Sequence, residues 1–212
     1  IRTLKKTVRW VVGIVLGVYI GTIVLLNIPN IQQAMSVFVA EELSEVLNTK
    51  VVIGRINMGL LNRIIIDDVL LDDQSGQEML KVTRLSAKFD IMPFFKGKIS
   101  ISSVQLFGFN INLRKETPDS PPNFKFVLDA FASKDTVKKE NSLDLRINSI
   151  LIRRGRMSYH VLSEEETPGK FNAKHIQLQN IIANISLKAL SKDSLNLGIK
   201  RLSLDEKASG FS

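Results

Sequence analysis

GKISISSVQLFGFNINLRK, residues 97–115, sets the pattern on which the rest of the chain is built. In its second half Phe109, Ile111 and Leu113 alternate with Asn110, Asn112 and Arg114. A period of two is the mark of a β-strand with one apolar and one polar face. The phase of the apolar residues switches at Ser102-Ser103 and again at Phe107-Gly108, which predicts bulges or tight bends there.

The same period extends in both directions. Upstream, VVIGRI (51–56), NRIIIDDVLLDD (62–73) and LKVTRLSAKFDI (80–91) read as strands, the last with Leu85, Ala87, Phe89 and Ile91 in phase. The polar DDQSGQ between them is turn chemistry, with Gly76 free to take positive φ. Downstream, ETPDSPP (116–122) breaks the pattern with three prolines, NFKFVLDAF (123–131) reads as a short helix, and SKDTVKKEN (133–141) as a charged loop. Strands resume with LDLRINSILIRRG, RMSYHVL, HIQLQNI, ANISLKA, LNLGIK and RLSLDE. Roughly ten short strands with few helices predict an antiparallel meander. In LDLRIN, Leu143, Leu145 and Ile147 share one face opposite Asp144, Arg146 and Asn148. An internal echo joins the two halves: SVQLFGFNI (103–111) resembles SILIRRGRMSY (149–159), with one residue inserted before the glycine.

Ahead of the strands lie two helical stretches. Trp10 to Leu26 contains no charge, and Arg2, Lys5, Lys6 and Arg9 precede it, supplying half of the net charge of +8. A membrane-spanning helix needs about 17–25 apolar residues. Trp10, Val11, Ile14, Tyr19, Ile23 and Leu26 are therefore assigned to an anchor, which Pro29 is expected to end. The run is long for a signal-peptide core and lacks a small-residue cleavage site, so an uncleaved anchor is expected. The basic cluster on the N-terminal side keeps that end cytoplasmic and sends the rest across the membrane. From Asn30 to Leu47, Ile31, Met35, Phe38, Val39, Leu43, Val46 and Leu47 recur at helical spacing among glutamates. This second helix is expected to lie as a lid on the first strands, Phe38 included, rather than on a membrane surface, where basic residues predominate.

Catalytic chemistry is not legible. There are no cysteines, which excludes disulfides, thiolate metal sites and thiol nucleophiles. No phosphate-binding loop, dinucleotide fingerprint or nucleophile elbow occurs. His160 and His175, the two histidines, sit on strand-like runs and are expected to be surface or satisfied histidines, with no catalytic or metal role. Asp67, Asp68, Asp72 and Asp73 lack calcium-loop spacing and read as turn and strand-end residues. Arg153, Arg154 and Arg156 read as an exposed turn, and the modest charge beyond the anchor disfavours nucleic acid. The expectation is a protein that is not an enzyme, with no cofactor, no metal and no catalytic residue.

The order of these segments resembles the N-terminus of the TamB family, the inner-membrane component of the translocation and assembly module, which groups with AsmA-like, bridge-like lipid-transfer proteins. The resemblance is carried by a basic start, one anchor, an amphipathic helix, then G-x-x-N-R-I-I-I-D-D-V-L-L-D-D-x-x-G from Gly59, L-x-x-x-x-L-x-x-x-F-D from Leu80, and G-K-I-S-I-S-S-V-x-L from Gly97. Gly59–Asp73, Leu80–Ile91, Gly97–Leu113 and Asn123–Phe131 look most like versions from Bacteroidota. It implies a mainly β fold: a transmembrane helix and a short amphipathic helix, then an antiparallel, curled, taco-like groove. Residues 1–29 would be the cytoplasmic start and anchor, 30–50 the capping helix, and 51–115 a first groove segment. Residues 116–142 would be a linker with a helix and loop, and 143–212 a second groove segment, the chain being a slice of a longer protein. The implied function is an inner-membrane-anchored periplasmic bridge carrying phospholipid toward the outer membrane, with Phe109, Ile111, Leu113, Leu143, Leu145 and Ile147 lining the groove. The alternative is a periplasmic scaffold that assists outer-membrane protein assembly with an Omp85-type barrel by strand pairing at a sheet edge. A third reading is an anchored structural β domain.

Overall fold

A computed structural model describes residues 2–59, 62–90, 99–132, 143–144, 149–190, 195–207 and 209. The chain is mainly β: two N-terminal helices lead into a curled, unclosed sheet. Helix α1 (Arg2–Leu26) is followed by α2 (Pro29–Leu47), then by strands β1 (Val51–Gly59), β2 (Arg63–Asp72), β3 (Glu78–Phe89) and β4 (Ile99–Lys115). Helix α3 (Lys125–Ala132) precedes β5 (Leu143–Asp144), β6 (Ser149–Val161), β7 (His175–Leu190) and β8 (Leu195–Glu206).

The strand order is β1-β2-β3-β4-β6-β7-β8, with β5 beside the start of β4. Neighbours are antiparallel except at one joint, where β4 runs parallel to both β5 and β6. The cause is the intervening 116–148 segment: a parallel pair needs a long crossover rather than a hairpin. The internal echo is this joint seen in sequence. Ser103 pairs with Ser149, Val104 with Ile150 and Leu106 with Ile152.

Helix α1 holds a segment, Lys6–Leu26, long and apolar enough to cross a membrane. Trp10, Val11, Ile14 and Tyr19 face outward, while Ile23 and Leu26 are partly covered where the helix meets the domain. The helix stops at Leu26, two residues before the expected end. Pro29 opens α2 instead of closing α1, occupying the first helical position where its missing N–H is not needed. Asn27 locks the joint, its Nδ2 donating to Met58 O in β1 at 3.0 Å.

Helix α2 is a lid, as its spacing predicts, but Phe38 does not belong to the buried face. Phe38 is 63% exposed and Val46 is exposed too. The buried stripe is Gln32, Ser36, Ala40 and Leu47, flanked by Met35, Val39 and Leu43. The small Ser36 and Ala40 in this stripe let the helix approach the sheet closely, and Ser36 Oγ donates to Gln32 O at 2.8 Å. Asn48 ends the helix in the left-handed conformation at φ 49°, a role Asn fills at little cost.

A lid over β1–β3 forms the first core. Ala40 and Leu47 pack on Val51, Ile53, Ile56, Leu71 and Met79, with Phe124, Phe126, Val127 and Ala130 of the α3 region alongside. Asp73 ties this end together. Its Oδ1 accepts from Ser75 N, Ser75 Oγ and Gln77 N, and its Oδ2 from Asn123 Nδ2 at 3.1 Å and Arg114 at 2.6 Å. Burial raises the pKa of Asp73, but the hydrogen bonds from Ser75, Asn123 and Gln77 outweigh it and leave the carboxyl below its ordinary value.

Candidate functional site

Strands β1 to β4, β6 and β7 each slip phase near mid-strand; the slips are aligned from β1 to β6 and staggered between β6 and β7. The inward residues step by three instead of two: Ile53 to Ile56, Ile66 to Val69, Val82 to Leu85, Leu106 to Phe109, Ile152 to Gly155, and Leu178 to Ile181. Between them two residues face out, among them the exposed Arg55, Asp68, Thr83, Arg84, Phe107, Arg153, Arg154 and Asn180. Asp68, Gly108, Arg154 and Asn180 carry the slip in positive φ, at 57°, 64°, 55° and 53°. From β1 to β4 the register continues across the slip because neighbouring strands slip together. A bulged strand bends, so the slips aligned from β1 to β6 crease that part of the sheet. The expected turn at Arg153–Arg156 is therefore corrected: these arginines lie within β6, at the crease.

The crease sorts residues onto two faces. From Leu80 to Phe89, Val104 to Leu113, Ile150 to Val161 and Ile176 to Ile185 the inner positions are uncharged and almost all apolar. The opposite face carries Lys81, Arg84, Lys88, Asn110, Asn112 and Arg156. One-sided sheets of this kind need a cover on the apolar side. The first core has α2 and α3. The second, Val82, Phe109 and Ile181 with Leu85, Ile111, Ile152, Met157, Leu178 and Leu204, contains no helix residue among the described residues. Among the described residues only the curl of the sheet encloses it, at its tightest where the Phe109 ring lies across Gly155. A Cβ on Gly155 would fall 2.3 Å from Phe109 Cε1 and 3.0 Å from Ile181 Cβ.

Of the six residues assigned to the groove, Phe109, Ile111 and Leu113 share this inner face, Phe109 buried and the other two half-buried. Leu143 opens β5, beside Ile99. Leu145 and Ile147 lie outside the described residues. Arg2 and Lys5 fall in the first turns of α1, and Lys6 and Arg9 are exposed.

Clefts occur on the other face. One of about 550 Å3 is lined by Thr83, Arg84, Gln105, Leu106, Phe107, Leu151 and Arg153, and one of about 400 Å3 by Lys81, Thr83, Gly108, Phe109, Asn110, Arg154, Gly155, Arg156 and Asn180, so both reach down to residues of the inner core. They are the outer furrow of the crease. Arg154 stacks on Phe107 at 5.2 Å from the ring centroid, and Arg84 binds Asp67 at 2.6 Å.

His160 and His175, which the sequence leaves apart, face each other as partners across the β6–β7 hairpin. The signal that could have found them is the turn: Thr167-Pro168 lies midway between them in sequence, and a hairpin closed symmetrically about that point pairs the two rings. Neither a protein-family model nor a curated protein matches this chain.

Proposed function

We propose that this chain is the membrane-proximal part of a non-enzymatic bridge that carries phospholipid along an apolar β groove. The observation that carries the reading is the inner face of β3, β4, β6 and β7: apolar, continuous across four strands, and without a second layer among the described residues. A contiguous apolar surface lacking a layer of its own is a binding surface in most proteins. The anchor supports the same reading, because Asn27 couples the end of α1 directly to β1. The groove thus begins beside the segment assigned to the membrane. Under this reading, which agrees with the resemblance to TamB and AsmA-like proteins, α1 sits in the inner membrane with its N-terminus cytoplasmic. The sheet is periplasmic, and an Omp85-type outer-membrane barrel is its partner.

The test is a photo-crosslinking residue placed at Ile111 or Met157, inside the sheet, and at Asn112 or Arg156, outside it. Phospholipid should be captured from the first pair and not the second. Equal capture from both faces removes the groove.

The second reading, a scaffold for outer-membrane protein assembly, has one observation of its own. The outer edge of β8 pairs with no strand among the described residues, and Ile199 and Leu202 beside it are 56% and 54% exposed. An edge of this kind can accept a strand from another chain. Crosslinks from Ile199 to a barrel protein, with no lipid captured at Ile111, would favour it.

A further inference from the structure

The β6–β7 hairpin brings three ligating groups together at its closed end. His160 Nδ1 and His175 Nδ1 lie 3.0 Å apart, and Glu166 Oε1 is 3.8 Å from the first and 3.9 Å from the second. All three ligand atoms fit within 4.8 Å of one another. The proton positions follow from the partners. His175 Nε2 is 2.9 Å from Glu164 O, a carbonyl that can only accept, so Nε2 carries the hydrogen and Nδ1 is a lone pair. That lone pair is aimed at His160 Nδ1. A ring nitrogen donating to a backbone carbonyl while its other nitrogen points inward is the usual outer support of a metal-bound histidine.

We propose that His160, His175 and Glu166 bind a divalent transition-metal ion of the zinc type, which clamps the end of the hairpin. Two imidazoles and one carboxylate suit zinc-like ions, whereas calcium and magnesium take oxygen ligands. Bonds of about 2.0–2.1 Å in tetrahedral geometry hold ligand atoms about 3.3 Å apart. The imidazole pair must open by roughly 0.3 Å and the carboxylate close by roughly 0.5 Å to meet that geometry. Glu166 can move, being 65% exposed, while His175 is 9% exposed and fixed by Glu164. For His160 to bind, its hydrogen shifts from Nδ1 to Nε2, leaving two lone pairs converging with one anionic oxygen. Neighbouring charge does not oppose a cation. Arg114, the register partner of His160 in β4, is neutralised by Asp73 at 2.6 Å, and Lys174 by Glu164 at 2.6 Å. The fourth position is left to water, as in three-ligand zinc sites. Sequence spacing alone hides the site, because fourteen residues separate the histidines and only the hairpin register, with His160 opposite His175, brings them together.

The experiment uses the full chain in detergent micelles, purified through a histidine-free tag. Co2+ is titrated as an optical probe and displaced by Zn2+. One equivalent of Co2+ should bind, with the visible absorption of a low-symmetry nitrogen–oxygen site, and Zn2+ should displace it. His160→Ala should abolish that absorption, and Glu166→Gln should weaken binding by at least about tenfold. Since Glu166 is exposed, its variant keeps the fold and separates lost ligation from lost structure. Absence of stoichiometric binding by the wild type, or unchanged binding in His160→Ala and Glu166→Gln, overturns the proposal.

Discussion

Gly155→Ala is the smallest change that tests how the inner face is closed. The new Cβ would fall 2.3 Å from Cε1 and 2.4 Å from Cζ of Phe109, against about 3.5–4.0 Å for carbon atoms at rest. The ring must retreat by more than about 1 Å, and Ile181 Cβ at 3.0 Å blocks the other side. Overpacking of this kind costs about 1–3 kcal/mol, and the closeness of two ring atoms places it in the upper half. At about 2–4 °C per kcal/mol for a chain of this size, the melting temperature should fall by roughly 4–12 °C. Phe109→Ala, which empties the position, should cost about 3–5 kcal/mol. In the double variant the methyl introduced by Gly155→Ala enters space the ring has left, so the two costs should fall short of their sum by about 1–2 kcal/mol. Far-UV circular dichroism of the full chain in micelles measures all three; tryptophan fluorescence does not serve, since Trp10 is in the anchor. A neutral Gly155→Ala, or costs that add within about 0.5 kcal/mol, would refute the ring-on-glycine packing and with it the closure by curvature.

Three further outcomes are expected. Phe38→Asp should change stability by less than about 0.5 kcal/mol because the side chain faces out, whereas Ala40→Asp should cost more than about 3 kcal/mol by burying a charge against Val51 and Ile53; equal thermal shifts would mean that the lid is rotated. Asp73 has a folded pKa below its unfolded value, so its contribution is complete above about pH 4 and is lost as the pH falls further through the depressed value. Asp73→Asn should lower stability at neutral pH and flatten the acid limb of a stability–pH curve, and an unchanged limb would show that the carboxylate clasp contributes nothing. A reporter active only outside the cytoplasm, fused after Asn123, should be active with the anchor retained; recovery of a mature form starting near Pro29 would remove the anchor.

Period and charge make the anchor helix, the lid and the strand-rich remainder legible, because each is a local pattern. Strand boundaries are less so. HIQLQNI and ANISLKA read as two strands but form the single β7, and LNLGIK and RLSLDE form the single β8. The reason is physical: a phase slip within a strand and a break between strands leave the same trace in alternation, and only the neighbouring strand's register distinguishes them. The slip at Phe107-Gly108 is visible because glycine marks it. At Arg154 and Asn180 the same left-handed backbone is taken by residues that do not advertise it. Phe38 is misplaced by the sequence pattern because helical spacing locates an apolar stripe but not its centre. Gln32 and Ser36, polar and buried, shift that centre toward Ala40. The facing of His160 and His175 depends on hairpin register, which composition does not carry.

The crease is what lets one sheet do the work of two layers, and it is held from both sides. On the outside Thr83 Oγ1 donates to Gly108 O at 3.1 Å and leaves no room for a side chain there, since a Cβ on Gly108 would fall 2.7 Å from that oxygen. Left-handed backbone costs an ordinary residue about 1–2 kcal/mol, and Asp or Asn less because their side chains bond locally. Asp68 and Asn180 are therefore inexpensive choices, and Asn180 adds a 2.6 Å bond to Asp205. Arg154 is not, and its contact with Phe107 recovers about 0.5–1 kcal/mol of the cost. On the inside the same level is occupied by the Phe109 ring over Gly155, with Ile181 behind it. Small residues and left-handed turns on one side, and a single large ring on the other, convert a flat one-sided sheet into a cupped one. In β4, β6 and β7 the inner face of this cup is free of charge, and no helix among the described residues packs into its core.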